Sequence, residues 1–277
     1  TRYGHEFVSA IEKGNIYGVQ FHPEKSHKNG MKFFKNLDSV HNFHFTFNNL
    51  KSQYKKAIDL GYQIITCLEY ARNKEKYSDS KIIINRVDID LSLKKARRLV
   101  EIYNELSIKG SFFLRLHAPE YNPLSFESYL IVKEMINSGH ELGYHSEIVD
   151  QSIIWNEDPE DCLKRDISTL ESFFETRIFG VASHGGMTGL NNLDFWKSHK
   201  PKDFGLAYEA YDEEPEFNLF ANSFYISDSE WTRWKCYNNG KLLEGDNRSL
   251  SDHLEDGHRL IYLLIHSDTY FDRHFYE

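Results

Sequence analysis

From Phe43 onward, short apolar runs alternate with stretches of helical periodicity, and that alternation constrains the fold more than any other feature. The strand-like runs are Phe43–Phe47, Tyr62–Cys67, Lys81–Asp90, Ser111–Leu116, His140–His145 and Arg177–Ala182; Phe204–Tyr208, Phe224–Ile226 and Leu260–His266 follow in a less regular region. Between them, Leu50–Leu60, Leu93–Ser107, Ser125–Ser138 and Pro159–Glu175 repeat apolar residues at helical spacing. Ser92 is placed to cap one helix, and Gly61, Gly110 and Gly139 mark helix ends. Strands separated by helices of about 10–17 residues predict an α/β fold with a mainly parallel sheet, because parallel strands need a crossover connection.

The composition narrows the function classes. Apolar residues make up 40% of the 277, enough for a packed core. No apolar run approaches the ~18 residues of a membrane span. A net charge of −9 disfavours nucleic acid as a partner, which needs a basic surface. Cys67, Cys162 and Cys236 are too few and too scattered for a disulfide framework, which suggests a reducing compartment and a cytoplasmic location. The first residue is not Met and no signal-peptide pattern follows it, so a truncated reading frame or a processed chain is expected.

In a parallel α/β fold, polar residues at the carboxyl ends of the strands gather on one face and form the site. Those ends read Arg86-Val87-Asp88-Ile89-Asp90, Leu114-Arg115-Leu116-His117, Gly143-Tyr144-His145-Ser146, Ala182-Ser183-His184 and Leu264-Ile265-His266-Ser267-Asp268. A lone histidine at a strand end is usually a hydrogen-bonded structural residue. Acids and histidines at several ends of one sheet are harder to dismiss, because burying charge costs several kcal/mol unless it is paired or bound to metal. The chemistry they suit is metal-assisted hydrolysis. Aspartate and neutral histidine ligate zinc and similar divalent ions. A second carboxylate can act as base toward water, and a histidine across the site can protonate a leaving amine. Asp88 and Asp90, two apart on a strand, nominally share a face.

These strings resemble the polysaccharide deacetylase family. Arg86-Val87-Asp88-Ile89-Asp90-Leu91-Ser92, Gly110-Ser111-Phe112-Phe113, Gly139-His140-Glu141-Leu142-Gly143-Tyr144-His145 and Leu263-Leu264-Ile265-His266 carry the likeness, which spans roughly residues 41–270. It implies a distorted (β/α) barrel of about seven strands, one divalent metal, commonly zinc, and removal of N-acyl groups, usually acetyl, from amino sugars. Carried over by motif, Asp88 matches the base, Asp90 and His145 the metal ligands, and His266 the late histidine acid. The chain also departs from the pattern. The second metal histidine would fall four residues after the first, where Val149 stands; His184 is the substitute and Asp150 the runner-up. Val87 precedes Asp88 where relatives often carry His, and Ser267 follows His266 where Pro or Asp is usual. Two options stay open: a deacetylase with a rearranged ligand set, or a barrel that kept its fold and lost its metal.

Ahead of this region, Tyr3-Gly4-His5-Glu6-Phe7, Asn15-Ile16 and Gly18-Val19-Gln20-Phe21-His22-Pro23-Glu24-Lys25-Ser26 resemble the C-terminal end of class I glutamine amidotransferases, in particular the glutaminase subunit of imidazole glycerol phosphate synthase. A strand ending at Pro23 and a helix over Gly30–Leu37 are predicted. The resemblance implies that His22 is a base and Glu24 its orienting acid, serving a cysteine that precedes them. All three cysteines here follow them, so these 277 residues alone are not expected to hydrolyse glutamine. The domains expected are 1–40, an amidotransferase remnant, and 41–277, the deacetylase-like barrel.

Substrate contacts are expected from Arg86, Arg115, Asp228 and Trp231. Tyr225-Ile226-Ser227-Asp228-Ser229-Glu230-Trp231 ends a strand with acids and an aromatic. Asp228 is placed to pair with Arg86 or Arg115, and Trp231 and Trp234 to line a saccharide groove. The first functional reading is a metal-dependent hydrolase acting on an acylated sugar or nucleotide sugar. The alternative is a catalytically impaired barrel that binds or assembles with a synthase-type barrel subunit through its N-terminal segment.

Overall fold

The structure is a computed structural model that describes residues 2–3, 5–13, 16–30, 32–33, 45–214, 217–229, 231 and 233–273. The chain divides into two compact units, Thr1–His44 with Arg273–Glu277, and Phe45–Asp272.

The first unit holds two small antiparallel pairs, β1 (Arg2–Tyr3) with β2 (His5–Glu6) and β3 (Ala10–Lys13) with β4 (Ile16–Val19). A single 3-10 turn, Pro23–Lys25, follows, with the proline at its start where a missing N–H costs nothing. Most of the helix expected over 30–37 lies outside the described residues.

In the second unit the strands are β5 (Gln63–Ile65), β6 (Ile82–Ile89), β7 (Ser111–Leu114), β8 (Glu141–Ser146), β9 (Gly180–Ser183), β10 (Tyr208–Glu209), β11 (Phe224–Ser227), β12 (Lys235–Asn238), β13 (Lys241–Leu242) and β14 (Leu260–His266). The helices are α1 (Phe47–Asp59), α2 (Cys67–Asn73), α3 (Leu93–Glu105), α4 (Phe126–Asn137), α5 (Ile148–Trp155), α6 (Pro159–Phe174), α7 (Leu219–Asn222) and α8 (Leu250–Glu255). The strands form one sheet in the order β10-β9-β8-β7-β6-β14-β11-β12-β13, and β5 pairs with the first half of β6. Pairings from β10 through β11 are parallel; only the β11–β12–β13 end is antiparallel.

The period of two along each strand divides the interior into two layers. On β6, Ile83, Val87 and Ile89 face the helix-covered core, together with Phe112 and Leu114 of β7, Leu142 and Tyr144 of β8 and Ile261, Leu263 and Ile265 of β14. The helices meet this layer with one apolar stripe each. In α1 the stripe is Phe47, Leu50, Tyr54 and Ala57, and in α3 it includes Leu93, Ala96, Val100 and Tyr103. The opposite faces of the same strands carry Ile82, Ile84, Phe113, Ala182, Tyr208, Tyr225, Tyr262 and Leu264 in a second cluster. Arg86, Asp88, His145 and His266 belong to that alternate set of positions, which is why they converge.

Three sequence expectations are corrected. The sheet is not closed into a barrel. β11 is paired with β14 on one edge and β12 on the other, so it has no edge left for β10. Side chains bridge there instead: the Tyr211 and Tyr225 hydroxyls lie 3.0 Å apart, and the Tyr262 hydroxyl donates to the Ala210 carbonyl at 3.1 Å. The strand expected over Phe43–Phe47 lies partly outside the described residues, and Phe47 begins α1 because the Thr46 hydroxyl accepts the Asn49 N–H and caps the helix. Cys67 likewise opens α2 behind a Thr66 cap rather than ending a strand. No helix among the described residues is long and apolar enough to cross a membrane.

Candidate metal and acid–base centre

Five strand ends supply the site: β6 gives Asp88 and, one residue beyond its end, Asp90; β8 gives His145; the residue after β9 is His184; the residue after β11 is Asp228; and β14 gives His266. Asp88 and His266 are paired in register across β6 and β14.

His145 is buried and oriented. Its Nδ1 lies 2.8 Å from the Ala182 carbonyl, which can only accept, so Nδ1 carries a proton. That leaves Nε2 facing Asp90 Oδ1 at 3.2 Å and Asp88 Oδ2 at 3.5 Å. Burial opposes a charge on His145, but Asp88 and Asp90 outweigh it and raise its pKa. His184 stands edge-on to His145, with ring centres 5.1 Å apart, and burial and the neighbouring His145 and Arg115 lower its pKa. One ligand atom each from Asp90, His145 and His184 falls within 4.8 Å of the others. Asp90 Oδ1 and His184 Nδ1 are both buried without a well-formed hydrogen bond, their nearest polar neighbours being His145 Nε2 at 3.2 Å and Glu147 Oε1 at 3.5 Å. Buried acceptors with poor hydrogen bonds are costly, and a cation would satisfy this donor set. Metal-bound histidines usually donate their other ring nitrogen to a carbonyl or carboxylate, as His145 Nδ1 does to Ala182. These residues therefore fit a divalent ion.

Beside this group, Asp88 is clamped by Arg86 through Nε to Oδ1 at 2.8 Å and Nη2 to Oδ2 at 2.7 Å. Burial alone would push the Asp88 carboxyl up, but Arg86, then His145, hold it below the usual carboxylate range. Arg86 is itself 1% exposed and lies against the rings of Tyr211 and Phe113, 4.7 and 5.6 Å from their centres. On the other side, His266 Nδ1 meets Asp228 Oδ1 at 2.6 Å, and the His266 backbone N–H reaches both Asp228 oxygens at 3.0 Å. Burial opposes its charge, but Asp228 and then Asp88 and Asp90 raise the His266 pKa to about 9.

The structure brings Asp88, Asp90, His145, His184 and His266 together and gives the remaining sequence candidates other roles or places. Arg86 is enclosed and positions Asp88, so it is not an open substrate contact. Asp228 pairs with His266, not with an arginine. Arg115 is engaged by Glu147 at 2.7 Å and by the Asp90 carbonyl at 3.1 Å. Trp231 is 44% exposed, and its backbone N–H donates to the Asp228 carbonyl at 2.8 Å. Trp234 is buried against Phe45, so it lines no groove. His22 is exposed, and the Glu24 side chain lies outside the described part of the structure. Sequence reading missed Glu147, which is buried, holds Arg115 and lies 3.5 Å from His184 Nδ1. Its position two residues after His145 was the available signal.

Asp150, the runner-up ligand, is occupied by its own loop. It accepts the N–H groups of Met187 and Thr188, the Thr188 hydroxyl and the Asn192 amide. Asp150→Ala is expected to destabilise the protein by on the order of 2–4 kcal/mol through these lost hydrogen bonds to a carboxylate. Metal stoichiometry should not change. Denaturant melts beside metal analysis check this; loss of metal from a variant that stays folded would restore Asp150 as a ligand.

No family model matches the chain. Its N-terminal ~37 residues match a glutamine amidotransferase subunit at high identity. The imidazole glycerol phosphate synthase subunit HisH 2 of Methanococcus maripaludis is 69% identical over 37 residues, which are 13% of this chain and 18% of that protein. The subunit HisH of Moorella thermoacetica is 56% identical over 40 residues, 14% of this chain and 19% of that one. The chain thus spans about a fifth of the length of the curated relatives it matches. Among solved structures, a Streptococcus mutans CE4 esterase shares 13% identity at a TM-score of 0.45, covering 72% of this chain and 78% of that one. A CE4 family pseudoenzyme from Bacillus anthracis shares 16% at a TM-score of 0.41, covering 69% and 57%. A mutant of that pseudoenzyme with restored enzymatic activity shares 15% at 0.42, covering 69% and 59%. Similarity this distant leaves the site to be argued from its own geometry.

Proposed function

We propose that Phe45–Asp272 is a metal-dependent hydrolase that removes an N-acyl group, in the first instance acetyl, from an amino sugar or nucleotide sugar. The observation that carries this reading is the trio Asp90, His145 and His184, accompanied by a carboxylate clamped by Arg86 and a histidine paired with Asp228. A divalent ion held by the trio, zinc being the natural choice for this donor set, supplies Lewis acidity toward the acyl carbonyl and the attacking water. Asp88, kept ionised by Arg86, takes the proton from that water. His266, kept protonated by Asp228, gives its proton to the leaving amine, which would otherwise depart as an anion. Two unlike groups with pKa values pushed apart by their partners are what an acid–base pair requires. The exposed Trp231 beside Asp228 offers a flat apolar face on which a sugar ring can stack.

The test is acetate release from N-acetylated sugars by the zinc-loaded chain. Release is expected, and Asp88→Asn should lower it by roughly 10²–10⁴-fold, the usual contribution of a positioned base. Unchanged release in Asp88→Asn would remove Asp88 from the chemistry.

The pH profile tests the acid. His266 has a raised pKa in the folded chain, so its protonated form persists below pH about 9 and is lost above it. Activity should fall on the alkaline side near that value. In Asp228→Asn the alkaline limb should move down toward the ordinary histidine range, about 6.5. By linkage, the stability that the pair contributes is fully present below about pH 6.5 and is lost as the pH rises through about 9. A limb that does not move in Asp228→Asn would show that His266 is not the titrating acid.

A further inference from the structure

A second cluster of ligand-type side chains lies at the antiparallel end of the sheet. Cys236 on β12, His253 on α8 and Asp246 in the loop between β13 and α8 each place one ligand atom within 4.8 Å of the others. Cys236 Sγ lies 3.3 Å from His253 Nε2, and Asp246 Oδ1 lies 3.4 Å from the same nitrogen. With zinc bonds of about 2.0–2.3 Å, two ligand atoms of a tetrahedral site stand about 3.3–3.6 Å apart. The observed separations are close to that spacing. Cys236 and His253 are fully buried, and Asp246 is partly so.

The other nitrogen of His253 is oriented as in a metal site. Nδ1 lies 3.3 Å from Asp256 Oδ2 and 3.5 Å from Arg248 Nη2; donation to the nearer carboxylate is the arrangement that would leave Nε2 free for a metal. Charge balance points the same way. Arg248 contacts both Asp246, at 3.0 Å, and Asp256, at 3.1 Å. Two carboxylates against one guanidinium leave one negative charge; burial pushes the Cys236 thiol up to about 12, and a divalent ion would draw it into the thiolate form and balance the cluster, its proton passing to solvent. Thiolate with imidazole selects ions of the zinc class over magnesium or calcium.

We propose that Cys236, His253 and Asp246 form a second divalent-metal site, with the fourth position left to solvent, that ties the β12–β13 hairpin and α8 to the edge of the sheet. Its role is structural: it joins a short hairpin to a two-turn helix. It is chemically distinct from the first centre, which contains no sulfur.

Cobalt(II) reads the two apart. Titrating the metal-stripped chain with cobalt should produce a thiolate-to-cobalt charge-transfer band in the near ultraviolet. The band should saturate at about one equivalent and persist in Asp90→Ala, which removes a ligand of the first centre only. Cys236→Ser, checked for folding by circular dichroism, should lose the band. Asp246→Asn, a change at a partly exposed loop position, should weaken cobalt binding at this site by at least about tenfold. A folded parent chain with no charge-transfer band would overturn the proposal, and so would a band unchanged in Cys236→Ser. If Cys236→Ser does not fold, unchanged affinity in Asp246→Asn overturns it instead.

Discussion

Replacing Asp90 or His145 with alanine is expected to remove one equivalent of bound metal and to abolish amide cleavage, a loss of about 10³-fold or more in kcat/KM. The size follows from what each residue contributes. Asp90 Oδ1 is a buried acceptor whose nearest polar neighbour is His145 Nε2 at 3.2 Å, and a cation held between the two would satisfy both. His145 is fixed by the Ala182 carbonyl with Nε2 turned toward Asp90 and Asp88, and alanine there removes a ligand. With one ligand gone, two protein ligands remain from a set of three, and catalytic zinc sites generally need three. Removing a single preorganised charge-stabilising donor already costs about 10²–10³-fold in other hydrolases, and loss of the ion removes more than one such interaction. The two variants should agree. Metal analysis beside acetate release checks them, and full activity in either would exclude its residue from the ligand set.

Arg86→Met is expected to destabilise the protein by about 3–5 kcal/mol, the usual cost of removing one partner of a buried ion pair. The Arg86–Asp88 pair is enclosed, with side chains 1% and 3% exposed, and both hydrogen bonds run between the same two residues. Without Arg86, the Asp88 carboxylate keeps its burial and loses its strongest stabilising charge. Its pKa should rise, because desolvation is then opposed mainly by His145 and His266. The sign of the double variant is the discriminating part. Arg86→Met with Asp88→Asn removes the orphaned charge together with its partner, so it should recover much of the lost stability. Denaturant melts of the four proteins give the coupling. Additive losses would mean that the pair is not coupled as its geometry indicates.

The strand ends were the legible part of this site. Asp88, Asp90, His145, His184 and His266 could be named because the two-residue period and the parallel alternation send such residues to one face, and the structure places them together. Their partners were not legible. Asp228 sits closer in sequence to His266 than to Arg86, but only the pairing of β11 with β14 decides between them. Asp150 looked like a ligand because nothing local shows that the loop from Met187 to Asn192 returns to its carboxylate. The open sheet was also hidden, although a signal was present. Asn239-Gly240, with φ of 49° and 74°, makes the tight turn between β12 and β13, and this hairpin takes the edge of β11 that a closed barrel would need. Of the strand expected at Phe43–Phe47, the described residues form a single parallel bridge from Thr46 to Phe271, because a helix cap at Thr46 starts α1 there.

The central claim is that Asp90, His145 and His184 hold one divalent ion beside the acid–base pair Asp88 and His266. Crystals grown with zinc and measured at the zinc absorption edge test it directly. An anomalous peak about 2.0–2.2 Å from one Asp90 oxygen and one nitrogen each of His145 and His184 is the result expected. Zinc bound elsewhere on the chain, with these three side chains left without an ion, would contradict it.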